Sequence, residues 1–370
     1  MRSRRWDPCV EHHGEEVRTF VAEYFGGADR HVLLIAGAGF DPRSTVVCDC
    51  LAPATKQLRA LLIQEQRPDP TGDLVARATQ NIGRLTSLLP KHKIVPVEIF
   101  GTDNAVVGGR NVANAIHQES LQGVTDIVVD VSALSVGVSY PMIRYLIDRT
   151  RRGDGPRNLH VFVSPDPALD EAIIPIAGDT VGFVHGFKGG WALDSNAAAA
   201  KLWLPQIARE RGAALQRIYD FIVPHDTCPI LPFPATRPRL GDELAEHFLV
   251  ELESTWEVDP RNLVYAAEDD PLDLYRTLLR IYDLRRSVFE EFGGSLLVLS
   301  PMGSKVLALG ALMAALERDL PVVYLEAIGY EVGSAVVTGG QSELVHVWLE
   351  GEAYPDASER SEAEDEGTTP

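Results

Sequence analysis

The segment HVLLIAGAGFDPRSTVVCDCLAPATKQLRALLIQEQ, residues 31–66, indicates the fold class most clearly. It begins with HVLLIAGAG, a short apolar run that ends in glycines, as expected for a strand buried on both faces of a sheet. A short helical stretch follows, and RALLIQEQ is a second apolar run. A strand–helix–strand unit of this kind places its two strands parallel in one sheet, with the helix packed on one face.

The same alternation continues beyond this unit. Further apolar runs occur at HKIVPVEIF (92–100), TDIVVDVSAL (125–134) and LHVFVSP (159–165), each separated from the next by a helical pattern. Five such strands predict an α/β fold with a Rossmann-like parallel sheet and helices on both faces. Alternation resumes near residue 241, which predicts a second α/β unit.

These patterns predict three parts of the chain. Residues 1–175 form a Rossmann-like α/β domain that opens with a helix over about Cys9 to Phe25. Residues 176–350 form the second unit, entered through Gly- and Pro-rich loops around a helix near Asn196–Ile218, and SELVHVWLEG adds an edge strand near its end. Residues 351–370 are too polar to bury a core, so we expect a disordered acidic tail.

Charge and composition limit the possible partners. The net charge is −19; residues 351–370 carry seven acidic side chains against one arginine, a net of −6, so −13 remains on residues 1–350. A body this acidic argues against duplex nucleic acid, whereas a local pocket can still hold a small anion. Four cysteines fit a reducing compartment, and no apolar run reaches membrane-spanning length. We therefore expect a cytoplasmic protein that does not enter membranes.

A glycine-containing loop follows the first predicted strand. The stretch GAGFDPRS, residues 37–44, combines glycines that permit close backbone approach with the free N–H groups of the helix that begins there. It lacks the third glycine of a full dinucleotide fingerprint, and Asp41 before Pro42 also fits an ordinary helix cap. The candidate ligand-binding residues here are Gly37, Gly39, Phe40, Asp41, Arg43 and Ser44.

Two later strand ends carry comparable groups. DVSALSVG begins at residue 130, and SPMGSK, residues 300–305, brings a glycine, a serine and a lysine to the start of a helix. A lysine in the first helical turn opposes the macrodipole, and a bound anion would resolve that conflict. The loop is not a Walker A motif, which needs four residues between its glycines. The candidates here are Asp130, Ser132, Ser300, Gly303, Ser304 and Lys305.

Four further side chains are candidates of second rank. Glu65 ends the second predicted strand, where a dinucleotide-binding fold places the acid that holds a ribose, although a solvated carboxylate also fits. Glu268 and Asp270 end a later strand, and Asp270 before Pro271 also fits a helix cap. Arg276 lies in the helix that follows and suits an ion pair. Cys48 and Cys50 lack a second metal-spaced pair, so we predict no metal.

Two of these loops resemble a known family. Asp130-Val131-Ser132 is similar to the D-x-[ST] motif, and Met302-Gly303-Ser304-Lys305 to the T-G-G-T-K loop, of CRISPR-associated Rossmann-fold (CARF) sensors. The resemblance covers two short motifs, and only one glycine precedes the Ser-Lys pair. It implies a sensor of cyclic oligonucleotides in prokaryotic antiviral defence, which binds its ligand as a dimer.

A second resemblance concerns an enzyme. GAGFDPRS together with TQNIGRL (79–85) is similar to the GAG and TQNID motifs with which sirtuins bind and cleave NAD. The sirtuin histidine of an H-G pair is replaced here by Phe100 before Gly101, and TQNIGRL also fits an amphipathic helix.

The sequence thus favours a nucleotide-binding or nucleotide-sensing protein, and it leaves open whether the protein is an enzyme. One alternative is an enzyme that hydrolyses a nucleotide, NAD or a phosphorylated metabolite, using carboxylates at the strand ends. The other is a non-catalytic scaffold subunit of a larger complex. We expect a small anionic ligand, whose identity the sequence does not give, and either a homodimer or a place in a protein complex.

Overall fold

Residues 31–66 form the strand–helix–strand unit that the sequence predicts. In the computed structural model, which describes residues 4–192, 199–333 and 343–354, the strands His31–Gly37 and Gln57–Gln66 run parallel, with His31 opposite Gln57. Alternate side chains of the first strand enter two different cores: Leu33 and Ile35 pack on one face, and Leu34 packs on the other. The apolar run is continuous because both faces are covered.

The described residues contain fourteen strands and ten α-helices. The strands are β1 (Glu11–His13), β2 (His31–Gly37), β3 (Gln57–Gln66), β4 (His92–Glu98), β5 (Asp126–Asp130), β6 (Asn158–Val163), β7 (Ile173–Phe183), β8 (Ala200–Pro205), β9 (Asp226–Thr227), β10 (Ile230–Pro232), β11 (Val264–Ala266), β12 (Ser295–Ser300), β13 (Val323–Val332) and β14 (Val345–Glu350). The helices are α1 (Glu15–Phe20), α2 (Val46–Ala54), α3 (Gly72–Leu88), α4 (Gly108–His117), α5 (Val136–Arg151), α6 (Pro167–Ala172), α7 (Gly212–Ile222), α8 (Leu240–His247), α9 (Pro271–Phe289) and α10 (Lys305–Arg318). A π-helical turn over Val21–Phe25 extends α1, and a 3-10 turn over Pro42–Thr45 precedes α2.

The first unit is a seven-stranded sheet in the order β1-β14-β6-β5-β2-β3-β4. Strands β2 to β6 run parallel to one another, and β14 joins β6 in the antiparallel direction. The chain therefore leaves β2 toward β3 and β4, then returns to β5 on the other side of β2. The order of β4, β3, β2, β5 and β6 is the Rossmann order.

The second unit repeats this order. Strand β8 pairs in parallel with both β9 and β12, and β10 pairs in parallel with β11. Single parallel bridges join Gln206 to Ile230 and Leu299 to Val322, which extend the sheet to β10 on one side and to β13 on the other. The parallel strands thus stand in the order β11, β10, β8, β12, β13, with β7 antiparallel to β13 at the far side. The two units share a topology although the sequence shows no repeat.

The two units are joined by one continuous core. It includes strand residues of both sheets, such as Leu33 and Leu297, together with helices α5, α9 and α10. Tyr140 in α5 donates a hydrogen bond to the carbonyl of Ala308 in α10 (2.5 Å), so the two helices contact each other directly. Each of these helices follows the fourth parallel strand of its unit, so they are equivalent elements packed against each other.

Several elements differ from the sequence predictions. The opening helix Cys9–Phe25 begins only at Glu15, because β1 precedes it and pairs with β14, and Gly14 separates the two with φ +54°. The prediction of a helix near Asn196–Ile218 is wrong in its first part. Residues 200–205 form strand β8, and the helix starts at Gly212. Residues 196–198 lie outside the described residues.

The boundary at residue 350 also differs from the structure. The segment SELVHVWLEG, assigned to an edge of the unit 176–350, contains β14, which lies between β1 and β6 in the first sheet, because β6 would otherwise be left as an uncovered edge. Of the predicted tail 351–370, residues 351–354 are ordered: Arg30 pairs with Glu352 (2.5 Å), and Tyr354 donates to the carbonyl of Trp348 (2.5 Å). Residues 355–370 lie outside the described residues.

A row of histidines crosses the edge of the first sheet. His160 Nε2 lies 3.3 Å from Asp126 Oδ1, His160 Nδ1 lies 3.0 Å from His346 Nε2, and His346 Nδ1 lies 2.9 Å from His12 Nδ1. A carboxylate only accepts hydrogen bonds, so each neutral ring donates to the next one toward Asp126. Burial lowers the pKa of His160, and burial together with the neighbouring histidines lowers the pKa of His346 much further.

This row predicts loss of stability in mild acid. A buried histidine with a lowered pKa takes up its proton on unfolding, so stability is full above about pH 6.5 and falls as the pH drops below that value. Each histidine that takes up a proton only on unfolding changes the unfolding free energy by up to about 1.4 kcal/mol per pH unit. We expect His346→Gln to reduce the slope of unfolding free energy between pH 6.5 and 5.5, measured by urea denaturation. His117→Gln, at an exposed position, is the matched control. Equal slopes in both variants would contradict a role of the histidine row in acid stability.

Candidate ligand site between the two units

Each unit has one point where its strand order reverses. In the first unit this point lies between β2 and β5, and in the second it lies between β8 and β12. In open parallel sheets, ligands bind beyond the carboxyl ends of the strands at this point, because the two following connections diverge and leave a crevice.

Both reversal points open on one cavity. Its volume is about 400 Å³, within the range of small-molecule sites. The first unit contributes residues from the stretches 39–43 and 133–136, and the second contributes 207–211 and 301–305. The two α/β units therefore share a cleft within a single chain.

The loop after β2 is held by a buried ion pair. Arg43 contacts Asp41 (Nη2–Oδ2 2.7 Å) and Asp170 of α6 (Nη1–Oδ1 2.6 Å), and only 4% of its side chain is exposed. Burial opposes the charge of Arg43, but Asp170 and Asp41 raise its pKa above the ordinary value. Asn81 of α3 donates to the carbonyls of Gly39 (2.9 Å) and Asp41 (3.1 Å). The motif TQNIGRL thus fixes this loop from behind, since it does not line the cavity.

A second buried arginine connects the two units. Arg67, which follows β3, pairs with Glu65 (2.6 Å) and with Glu326 of β13 (2.7 Å), and it donates to the carbonyl of Ala327 (3.0 Å). Its guanidinium lies 5.1 Å from the ring centre of Tyr330. Burial raises the pKa of Glu326, and Arg67 opposes that rise.

The SPMGSK turn faces the cavity and crosses to the first unit. Ser304 caps α10 by accepting from Leu307 N (3.2 Å), and Gly303 N donates to Gln206 Oε1 (3.2 Å). A Cβ on Gly303 would stand 3.1 Å from Gln206, so the close approach favours glycine. Lys305 Nζ donates to the carbonyl of Leu134, just before α5. Burial, and then the charge of Arg43, lower the pKa of Lys305.

The motif Asp130-Val131-Ser132 lies behind the cavity. Asp130 is buried and accepts from Ser132 N (2.9 Å) and Ser132 Oγ (2.5 Å), and Ser132 Oγ in turn accepts from Ser164 N (2.8 Å). Burial raises the pKa of Asp130 to about 7. Neither residue lines the cavity. These two candidates therefore lie behind the loop 133–136 and form no part of the cavity surface.

The remaining candidates divide between the cavity and positions outside it. Glu65, Glu268, Gly39 and Phe40 line the cavity, and Glu268 accepts from Thr236 N (2.8 Å). Gly37 and Ser44 do not line it: a Cβ on Gly37 would stand 2.9 Å from the carbonyl of Ala133. Three others have structural partners elsewhere: Ser300 accepts from Trp203 Nε1 (2.9 Å), Asp270 caps α9 through Leu272 N (2.7 Å), and Arg276 lies 3.4 Å from Asp7.

Sequence reasoning did not select several cavity residues. Arg67, Asp170, Arg211, Tyr324 and Tyr330 all line it. Two signals were available: Arg67 directly follows a strand end, and Glu326 interrupts the apolar run of β13, where a buried carboxylate needs a cation. No pattern indicated Asp170, because its role depends on where α6 packs.

The described residues form neither a metal centre nor a membrane-spanning helix. Within residues 4–192, 199–333 and 343–354, no group of three or more His, Cys, Asp or Glu side chains is arranged to hold a metal ion. No helix in the same ranges is both long and apolar enough to cross a membrane.

Comparisons with known proteins do not assign a family. No protein-family model and no curated protein matches the chain. Solved structures that align with it include the cytoplasmic domain of a prokaryotic cation chloride cotransporter (12% identity, 81% of this chain and 96% of that one, TM-score 0.22). Others are a universal stress protein from Archaeoglobus fulgidus (9%, 80% and 96%, 0.23) and a Pseudomonas aeruginosa RhlG/NADP complex (10%, 80% and 92%, 0.24). At these TM-scores the likenesses carry no argument about this chain.

The Arg67 cluster predicts a large loss of stability on truncation. Arg67→Met leaves Glu65 and Glu326 buried without their cation, which costs about 3–5 kcal/mol of unfolding free energy. The control Arg84→Met removes an exposed pair of similar length (Arg84–Asp49, 2.6 Å) and should cost about 0–1 kcal/mol. Urea denaturation measures both values. Equal losses would show that Arg67 does not hold the two units together.

Proposed function

We propose that the protein binds a nucleotide in the cavity between its two Rossmann-like units, and that it acts as a nucleotide sensor. The observation that carries the proposal is the opening of both reversal points on one cavity of about 400 Å³. Rossmann-like sheets bind ligands at that point, and here the two points face each other. Lys305 supplies a cation there at the start of a helix, a place suited to a phosphate.

Three of the carboxylates that line the cavity favour binding over catalysis. Asp41 and Asp170 are held by Arg43, and Glu65 is held by Arg67. A general acid–base pair needs one group that is ready to accept a proton and another that is ready to give one. Carboxylates fixed in ion pairs are poor candidates for either role, so hydrolysis of a nucleotide, NAD or a phosphorylated metabolite stays the alternative.

The resemblance to CARF sensors suggests the finer proposal. One of the two matching loops, 302–305, lines the cavity, and the other, 130–132, supports a loop that does. We therefore include cyclic oligonucleotides among the ligands to be tested, with a role in prokaryotic defence or signalling. The cavity lies within one chain, so this site does not require the homodimer that the resemblance implies. A volume of about 400 Å³ suits a single nucleotide better than a cyclic tetramer.

Lys305 gives the direct test of this site. Thermal-shift and calorimetric titrations with AMP, ATP, NAD and cyclic tetra-adenylate should identify a stabilising nucleotide. Lys305→Met keeps the aliphatic stem but removes the charge, and we expect it to weaken binding by about 10- to 100-fold, the usual range for a charge-assisted contact.

Lys201→Met is the matched control for that variant. Lys201 Nζ also donates to a backbone carbonyl, that of Ile222 (3.0 Å), but it lies outside the cavity. The control should bind as tightly as the natural protein. Unchanged affinity in Lys305→Met would contradict a phosphate at this loop. The absence of binding by the whole panel, with no small molecule released from the denatured protein, would favour the scaffold alternative.

A further inference from the structure

We propose that Glu65 and Ser135 form a ribose subsite, so that the ligand of this cavity is a ribonucleotide. The inference rests on the proposed function and deepens it. Both residues line the cavity, and Glu65 Oε1 accepts from Ser135 N (2.8 Å), so the carboxylate and the serine are direct neighbours.

Ser135 presents a hydroxyl that its own helix does not use. It occupies the N-cap position of the 16-residue helix α5, with φ −71° and ψ 158°, yet its side chain makes no capping bond. Serine and threonine at two other helix starts do cap: Ser304 accepts from Leu307 N and Thr71 from Leu74 N. Ser135 is only 7% exposed, and within the described residues its Oγ has no hydrogen-bond partner. Because Ser135 lines the cavity, this hydroxyl still has its hydrogen-bonding capacity for a group bound there.

The charges beside Ser135 select a hydroxyl-bearing group over a phosphate. Glu65 accepts from Ser135 N, and Glu326 lies against the first turn of the same helix, where a Cβ on Gly137 would stand 2.1 Å from Glu326 Oε2. These carboxylates already complement the positive end of the helix, and they repel a phosphate dianion. A ribose diol is neutral, donates to a carboxylate and exchanges hydrogen bonds with a serine hydroxyl.

Each Glu65 oxygen retains room for such a bond. Oε1 accepts from Ser135 N and Oε2 accepts from Arg67 Nη1 (2.6 Å), and a carboxylate oxygen accepts two bonds. Glu65 also ends β3, the second strand of its unit, which is where Rossmann folds place the acid that binds ribose hydroxyls. The position of Glu65 in the sheet and the unused acceptor capacity of its oxygens therefore both favour a ribose hydroxyl as its partner.

The neighbouring groups follow the order of a nucleotide. Phe40 and Tyr330 form an aromatic wall with ring centres 5.2 Å apart, suited to a base. Arg67 lies over Tyr330 and pairs with Glu65, which contacts Ser135. The carbonyl of Leu134, one residue before Ser135, accepts from Lys305 Nζ, so the cation for a phosphate is adjacent to Ser135 along the chain. Base, ribose and phosphate sites therefore adjoin in their covalent order.

The test compares ribonucleotides with their 2′-deoxy counterparts. Calorimetric titration with AMP and 2′-deoxy-AMP, and with the GMP, CMP and UMP pairs, gives the affinity ratio for each base. We expect the natural protein to prefer the ribonucleotide by about tenfold, and Ser135→Ala and Glu65→Gln to reduce this ratio to about two or less. A merely structural role for either residue would lower both affinities together and leave the ratio unchanged.

Ser139→Ala is the matched control. Ser139 is a buried serine in the same helix that donates to the carbonyl of Ser135 (2.8 Å) and lies outside the cavity. It should keep the natural ratio. Equal affinity of the natural protein for ribo- and deoxynucleotides, or a ratio that survives in both test variants, overturns the ribose subsite while nucleotide binding stands. Failure of every nucleotide to bind overturns both proposals.

Discussion

The packing of α5 against α10 is the contact on which the rest of the molecule depends. Each helix leaves the fourth parallel strand of its unit, so its N-terminus must start at the carboxyl edge of that sheet. Because Tyr140 of α5 bonds to Ala308 of α10 and the two helices share one core, the two carboxyl edges face each other. The cavity is the space that this arrangement leaves between them. Lys305, the first residue of α10, lines it and donates to the carbonyl of Leu134, the residue before Ser135 at the N-cap of α5.

Buried charge then fixes the shape of that cavity. Arg43 and Arg67 each hold two carboxylates, and each pair includes one group from a distant element, α6 or β13. Such networks stabilise a structure only when every member is paired, so the loops are held in one arrangement before any ligand arrives. A ligand that enters therefore costs little free energy to order them.

Local pattern was enough to predict the fold class, because apolar runs such as HVLLIAGAG and the helices between them record burial on two faces. Local pattern also indicated one loop of the candidate site, because SPMGSK faces the cavity. Local pattern does not predict contacts between segments that are distant in the sequence. Arg67 and Glu326 are 259 residues apart, β1 is a polar strand of three residues, and β14 enters the first sheet from the far end of the chain. Asp130-Val131-Ser132 looked like a ligand motif because its polarity was visible, whereas its burial was not.

Hydrogen exchange can show whether both units contribute to one ligand site. The amides of four loops should be followed by mass spectrometry, without ligand and with the most stabilising nucleotide of the panel at saturation: 37–44 and 131–135 in the first unit, and 206–211 and 301–305 in the second. We expect exchange to slow in loops of both units at the same nucleotide concentration. Slowing confined to one unit, or to surfaces away from these loops, would contradict a shared site.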